Sequence, residues 1–296
     1  MSDFETRGHS SSAPNMAIVC MLLGTVALTA NDALLKWMSI GYSVGQIMFC
    51  RGIFIALPLA ALIWRAGGLA CLRPINPTLH FIRAGLVVCS TFLFVSGLRF
   101  LPLTDAVAIA FAGPLFVTAL APRLLGEYVG WRRWLAVAAG FVGILVIIRP
   151  GGTAVQWAAL LPLGASLCGA FRDILTRKMS AHESTVAILF YTSLGVTLAG
   201  LMTAPFAWAP VSWNNWGLFL LSGLFIGPGH YLMIETYRYG EAALVAPFKY
   251  SGVIWAALLG FLIWGDVPDA GTVTGVSVVI FSSLYIMHRE QVRRRE

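Results

Sequence analysis

The sequence predicts an all-α integral membrane protein: ten transmembrane helices arranged as two inverted five-helix repeats. Three observations predict it. Hydrophobic residues make up 58% of the 296 residues and charged residues only 11%, where a soluble domain carries about a quarter. The apolar residues gather into ten long runs. A charged motif near the end of the first run returns near the end of the sixth.

A helical span needs about 20 mostly apolar residues. Such runs occupy 16–38, 44–64, 79–98, 104–122, 132–148, 155–176, 184–205, 214–236, 242–264 and 271–287. The connections are short, and none is long enough for a separate soluble domain. Irregular backbone is not tolerated in lipid, and the unbroken runs exclude the alternating pattern of a barrel, so helices remain. Residues 1–15 form a polar leader. It carries acids as well as Arg7, and the run after it lacks a small-residue cleavage site, so the first run is not read as a cleaved signal.

The net charge is +7, but its distribution points to a membrane rather than to nucleic acid. With both termini inside, the inner face holds thirteen Lys and Arg residues and the outer face three (Lys36, Arg99, Arg149). That bias predicts cytoplasmic termini. The basic tail at 289–296 would then lie against anionic lipid.

The repeat has a measurable offset. Shifting by 141 residues sets "DALLKWMS" (32–39) on "DILTRKMS" (173–180), placing Asp32 on Asp173 and Lys36 on Arg177. A shift of 139 sets Arg99 on Arg238 and Gly126–Glu127 on Gly265–Asp266. The unit is therefore five helices, with 16–150 and 151–288 as the two repeats. Five is odd, so the second repeat enters from the opposite side, as in many secondary transporters.

These stretches, with "LRFLPLTDAVAIAFAGPLFVTAL" and "YRYGEAALVAPFKYSGVIWAALLGFLIWGD", resemble the drug/metabolite transporter superfamily in its two-repeat EamA-type branch. The resemblance covers nearly the whole chain. It implies a central cavity among helices 1 to 4 and 6 to 9, with helices 5 and 10 at the periphery, and alternating access between repeats. It is most similar to alphaproteobacterial members described as riboflavin or S-adenosylmethionine uptake carriers, so the implied cargo is a small molecule. Riboflavin leads, S-adenosylmethionine follows, and efflux of amino acids or other metabolites is the remaining transport alternative.

Ionisable groups inside spans usually face a protein interior or a water-filled path. The candidates for substrate binding are Asp32, Asp173, His230, Glu235 and Lys249, with Tyr231, Tyr250 and Trp255 as flat apolar surface. For Asp32 and Asp173 the alternative is helical salt bridges to Lys36 and Arg177, four residues on. Arg51 and Arg83 read as buried pairs or snorkelling groups. Thr104–Asp105 reads as a helix cap. Pro114, Pro228 and Pro247, each near glycine or a charge, predict broken helices in both repeats and hence a midplane site. Trp37, Trp64, Trp131, Trp157, Trp213 and Trp216 fit an interfacial belt.

Enzyme chemistry has no support in the sequence. There is no HExxH zinc site, no Gly-x-Ser-x-Gly turn, no ATP-binding loop and no cysteine pair at metal spacing. No metal or cofactor is expected, and the five cysteines read as packing residues. A permease subunit or scaffold is the non-transporter alternative. The expected setting is a bacterial inner membrane, with lipid as partner and room for a homo-oligomer.

Overall fold

The computed structural model describes residues 14–124, 126, 129–148, 156–179, 182–239 and 248–295. Among them the secondary structure is helical. The elements are α1 (Pro14–Ser39), α2 (Val44–Arg65), a short 3-10 turn (Gly68–Leu72), α3 (Pro77–Leu98), α4 (Leu103–Ala110), α5 (Gly113–Leu124) and α6 (Trp131–Ile148). The second half adds α7 (Gln156–Met179), α8 (Thr185–Leu201), α9 (Ala204–Ala207), α10 (Trp213–Tyr239), α11 (Ser251–Trp264) and α12 (Ala270–Arg295). Nine apolar stretches among the described residues are long enough to cross a membrane, with α4 and α5 forming one of them; α11 is a shorter apolar helix.

Local chemistry repeats with the sequence. Ser43 caps α2, accepting from the Gln46 N–H, and Ser184, 141 positions on, caps α8 through the Ala187 N–H at 3.0 Å. Gly265 ends α11 at φ 73°, and its counterpart Gly126 has φ 67°. Both are left-handed positions that suit a residue without Cβ.

The packing is symmetric as well. The strongest pairs cross between the halves: α1 with α10, α3 with α7, α2 with α8, and α6 with α12. Exchanging the halves turns the first pair into the second and returns the other two to themselves, as a two-fold relation between repeats requires. The α6–α12 pair closes glycine to glycine. A Cβ on Gly143 would lie 2.8 Å from the Gly275 carbonyl oxygen. This is the close approach that small residues permit between membrane helices.

Several expectations change here. Span four breaks between Ala110 and Gly113, with Pro114 in the first turn of α5. At Pro228, by contrast, α10 runs on unbroken. The flanking glycines serve contact instead: a Cβ on Gly227 would meet Pro58 of α2, and one on Gly229 would meet Leu28 of α1. Tight packing on both sides holds the helix through the proline. Pro247 lies outside the described residues. Trp216 is half-buried: it packs edge-on against Phe54 and beside the fully buried Phe219. Trp37, Trp64, Trp131, Trp157 and Trp213 are exposed near helix ends.

Candidate substrate cavity

Charged side chains from four helices converge within the bundle. On α1, Asn31 is buried and accepts a hydrogen bond from Ser222 Oγ of α10 at 2.7 Å. Its amide nitrogen lies 3.4 Å from Asp32 Oδ1. Arg51 of α2 is buried and interacts electrostatically with Asp32, while its Nε has no hydrogen-bond acceptor. On α3, Arg83 donates through Nε to Thr176 Oγ1 of α7 at 2.8 Å and through Nη1 to Thr192 Oγ1 of α8. On α7, Arg172 and Asp173 form an ion pair at 2.8 Å.

His230 tells what these groups surround. It sits well inside α10, and its side chain is exposed. Yet it interacts electrostatically with Arg51, Arg83 and Arg172 on three other helices. Charged side chains at membrane depth usually face a protein interior or a water-filled path, which makes this cluster the candidate site. Its Nδ1 is 3.0 Å from the Ile226 carbonyl; an Nδ1–H donating there leaves Nε2 for another partner.

The other expected residues are distributed more widely. Glu235 is buried on α10 near Cys20 of α1, and Lys249 is half-buried in the turn leading into α11. Both take part in further interactions. Tyr250 is buried against Phe111 at 5.0 Å, so it joins the start of α11 to the break between α4 and α5. Tyr231 is exposed on α10. Trp255 is half-buried with an enclosed indole N–H that has no acceptor, a donor that water or a ligand would satisfy.

The ends of the bundle are tied separately. Lys36 does not bridge to Asp32. Its Nζ meets Asp266 Oδ2 at 3.0 Å and lies 4.6 Å from the Trp264 ring centroid. Asp32 instead has Asn31 and Arg51 beside it, so the local spacing is overridden by a contact 230 positions away. Asp173 is paired with Arg172; the Arg177 side chain and Glu127 lie outside the described residues. Asp105 does not cap α4. Pro102 holds the cap position without a side-chain bond, and Asp105 accepts from Thr272 Oγ1 of α12 at 3.0 Å. On the side where α7 ends, Glu183 accepts from the Ile75 and Asn76 N–H groups, both at 2.9 Å. His80 Nε2 is 3.3 Å from its other oxygen, a close polar contact. Burial alone would push the Glu183 carboxyl up, but the bonds from Asn76 and Ile75 and the nearby His80 hold it below the ordinary glutamate value. Where α1 ends, Gln46 performs the related task. Its side chain both donates to and accepts from the Ala209 backbone, at 2.6 and 3.0 Å.

Residues 15–149 and 156–288 each match the model of the EamA-like transporter family. The chain belongs to the EamA-like transporter family. It is therefore a multi-pass membrane protein that transports a small-molecule metabolite, and not an enzyme. An S-adenosylmethionine uptake transporter of Rickettsia prowazekii is 28% identical over 93% of each chain. A riboflavin transporter of Rhizobium johnstonii is 29% identical over 96% of this chain and 95% of its own. A solved crystal structure shares the fold with a TM-score of 0.65 at 16% identity, covering 94% of this chain and 99% of that one. Two family matches in one chain agree with the two-fold packing. Sequence reasoning gave Arg83 and Arg172 little weight, and the structure brings both to the cluster around His230. The available signal was that each is a charge within an apolar run, on a helix that the resemblance places around the cavity.

Proposed function

We propose that the protein is a secondary transporter of a bacterial inner membrane, with both termini in the cytoplasm, and that its cargo is riboflavin taken into the cell. The repeats would be residues 16–150 and 151–288, flanked by a cytoplasmic leader (1–15) and a basic tail (289–296). One observation carries the choice of cargo. Three guanidinium groups, Arg51, Arg83 and Arg172, gather around His230, against the two carboxylates Asp32 and Asp173. Glu235 and Lys249 cancel in that balance. A cation excess in a low-dielectric space disfavours a cationic solute such as S-adenosylmethionine and accepts a neutral one rich in carbonyl oxygens. Tyr231, Tyr250 and Trp255 would supply flat walls, and a few polar groups would orient the ligand.

S-adenosylmethionine is the second reading, supported by the similarity to carriers of that name. Purified protein in liposomes, without ATP, separates the readings. Accumulation of labelled riboflavin but not of S-adenosylmethionine is expected. The reverse result would exchange the two cargoes. Transport that required a separate ATPase would remove the secondary-transporter reading.

A further inference from the structure

The repeats agree where the fold needs them to and differ where the charges converge. Ser43 and Ser184 cap equivalent helices, and Asp32 and Asp173 are equivalent acids. In the same 141-residue register Arg51 corresponds to Thr192, and Arg172 to Asn31. Arg83 corresponds to Leu224 at that offset or to Ser222 at 139, and neither carries a charge. Each of the three arginines, two in the first repeat and Arg172 in the second, thus lacks a charged counterpart in the other repeat, and all three act on His230. A two-fold scaffold does not call for charges that lack a counterpart.

Among the three, Arg83 is distinct. Arg172 has Asp173 in direct contact at 2.8 Å; Arg51 has Asp32, and Arg83 has Asp173, as the opposite charge acting on it. Arg83 is held by two neutral hydroxyls, Thr176 Oγ1 and Thr192 Oγ1. Each of those hydroxyls is itself tied down, donating 2.7 Å bonds to the carbonyls of Arg172 and Ile188. The guanidinium is therefore fixed on one side by acceptors that do not neutralise it. A guanidinium has five N–H donors in a rigid fork, and two are used here. Both members of the Arg172–Asp173 pair act on Arg83, the guanidinium in repulsion and the carboxylate in attraction, so the donors of Arg83 that remain unused are what invite an incoming anion.

We propose that Arg83 is a specificity-determining residue that receives an oxyanion, so that the carrier prefers planar heteroaromatic metabolites bearing a phosphate or carboxylate over their uncharged forms. The inference rests on the transporter reading above and extends its cargo from the neutral flavin to anionic ones. Hydrogen bonds to a charged acceptor are about twice as strong as neutral ones, which corresponds to a preference of about tenfold.

The test is equilibrium binding to the purified full-length protein at constant ionic strength. Two ligand pairs differ only in a phosphate: riboflavin with flavin mononucleotide, and adenosine with adenosine monophosphate. The wild type should bind the phosphorylated member about tenfold more tightly. Arg83→Gln should bring the ratio close to one. If Arg83→Gln does not fold, the double variant Thr176→Val, Thr192→Val keeps the charge but frees the fork, and the ratio should fall about threefold. Equal affinity within each pair in the wild type, or a ratio unchanged in these variants, would overturn the proposal while leaving flavin transport intact. A phosphate preference for the adenosine pair with no binding of either flavin would keep the Arg83 site and remove riboflavin as cargo. No binding of any of the four would reject both.

Discussion

Glu183 joins the loop after α7 to the start of α3, and its removal should loosen the bundle at that end. The carboxylate takes two backbone N–H bonds at 2.9 Å and sits 3.3 Å from His80 Nε2, with both side chains almost fully buried. A hydrogen bond to a charged group contributes about 1.5–3 kcal/mol. Ile75 and Asn76 are exposed residues, however, so water can replace part of what their N–H groups lose. Glu183→Ala should therefore cost about 3 kcal/mol rather than the full sum. Glu183→Gln, which keeps an acceptor oxygen, should cost about 1–2 kcal/mol. The pH dependence follows from the lowered carboxyl. A carboxylate depressed on folding stabilises the protein above its unfolded value, about 4.3. That stabilisation is lost as pH falls from there through the folded value. Thermal unfolding in detergent, followed by intrinsic fluorescence, measures both effects. The wild type should lose stability across that acid window, and Glu183→Gln should lack this component. A Glu183→Ala protein as stable as the wild type at pH 7, or an unchanged acid dependence in Glu183→Gln, would refute the argument.

Three further outcomes are expected. Glu235→Gln and Lys249→Met, tested singly, should lower transport about tenfold or more while membrane insertion is unchanged; normal uptake kinetics in both would remove them from the mechanism. Cys89 of α3 and Cys168 of α7 have sulfurs 3.7 Å apart, so a copper–phenanthroline oxidant should protect two of the five thiols from maleimide, and Cys89→Ser should abolish that protection. Gly143→Ala should drive a Cβ toward the Gly275 carbonyl and Val278 and destabilise the protein by about 1–3 kcal/mol, read as a lower melting temperature in detergent.

The sequence by itself determined the helical class, the apolar spans and the repeat. Those properties are local or periodic: a 20-residue apolar run implies a span wherever it packs, and an offset of 141 needs only the order of residues. The Gly126 and Gly265 turns were legible for the same reason, since a left-handed turn is set by its own residue. Tertiary structure decided the partners. Arg83 finds Thr176 and Thr192 from 93 and 109 positions away. Lys36 passes over its four-residue neighbour for Asp266, and Trp216 turns inward to Phe54. In a soluble helix the apolar stripe would have marked the inner face. Here lipid and protein interior are both apolar, so hydrophobicity does not separate the two faces of a helix. Which partners Arg83 meets is fixed only when α3, α7 and α8 pack against one another.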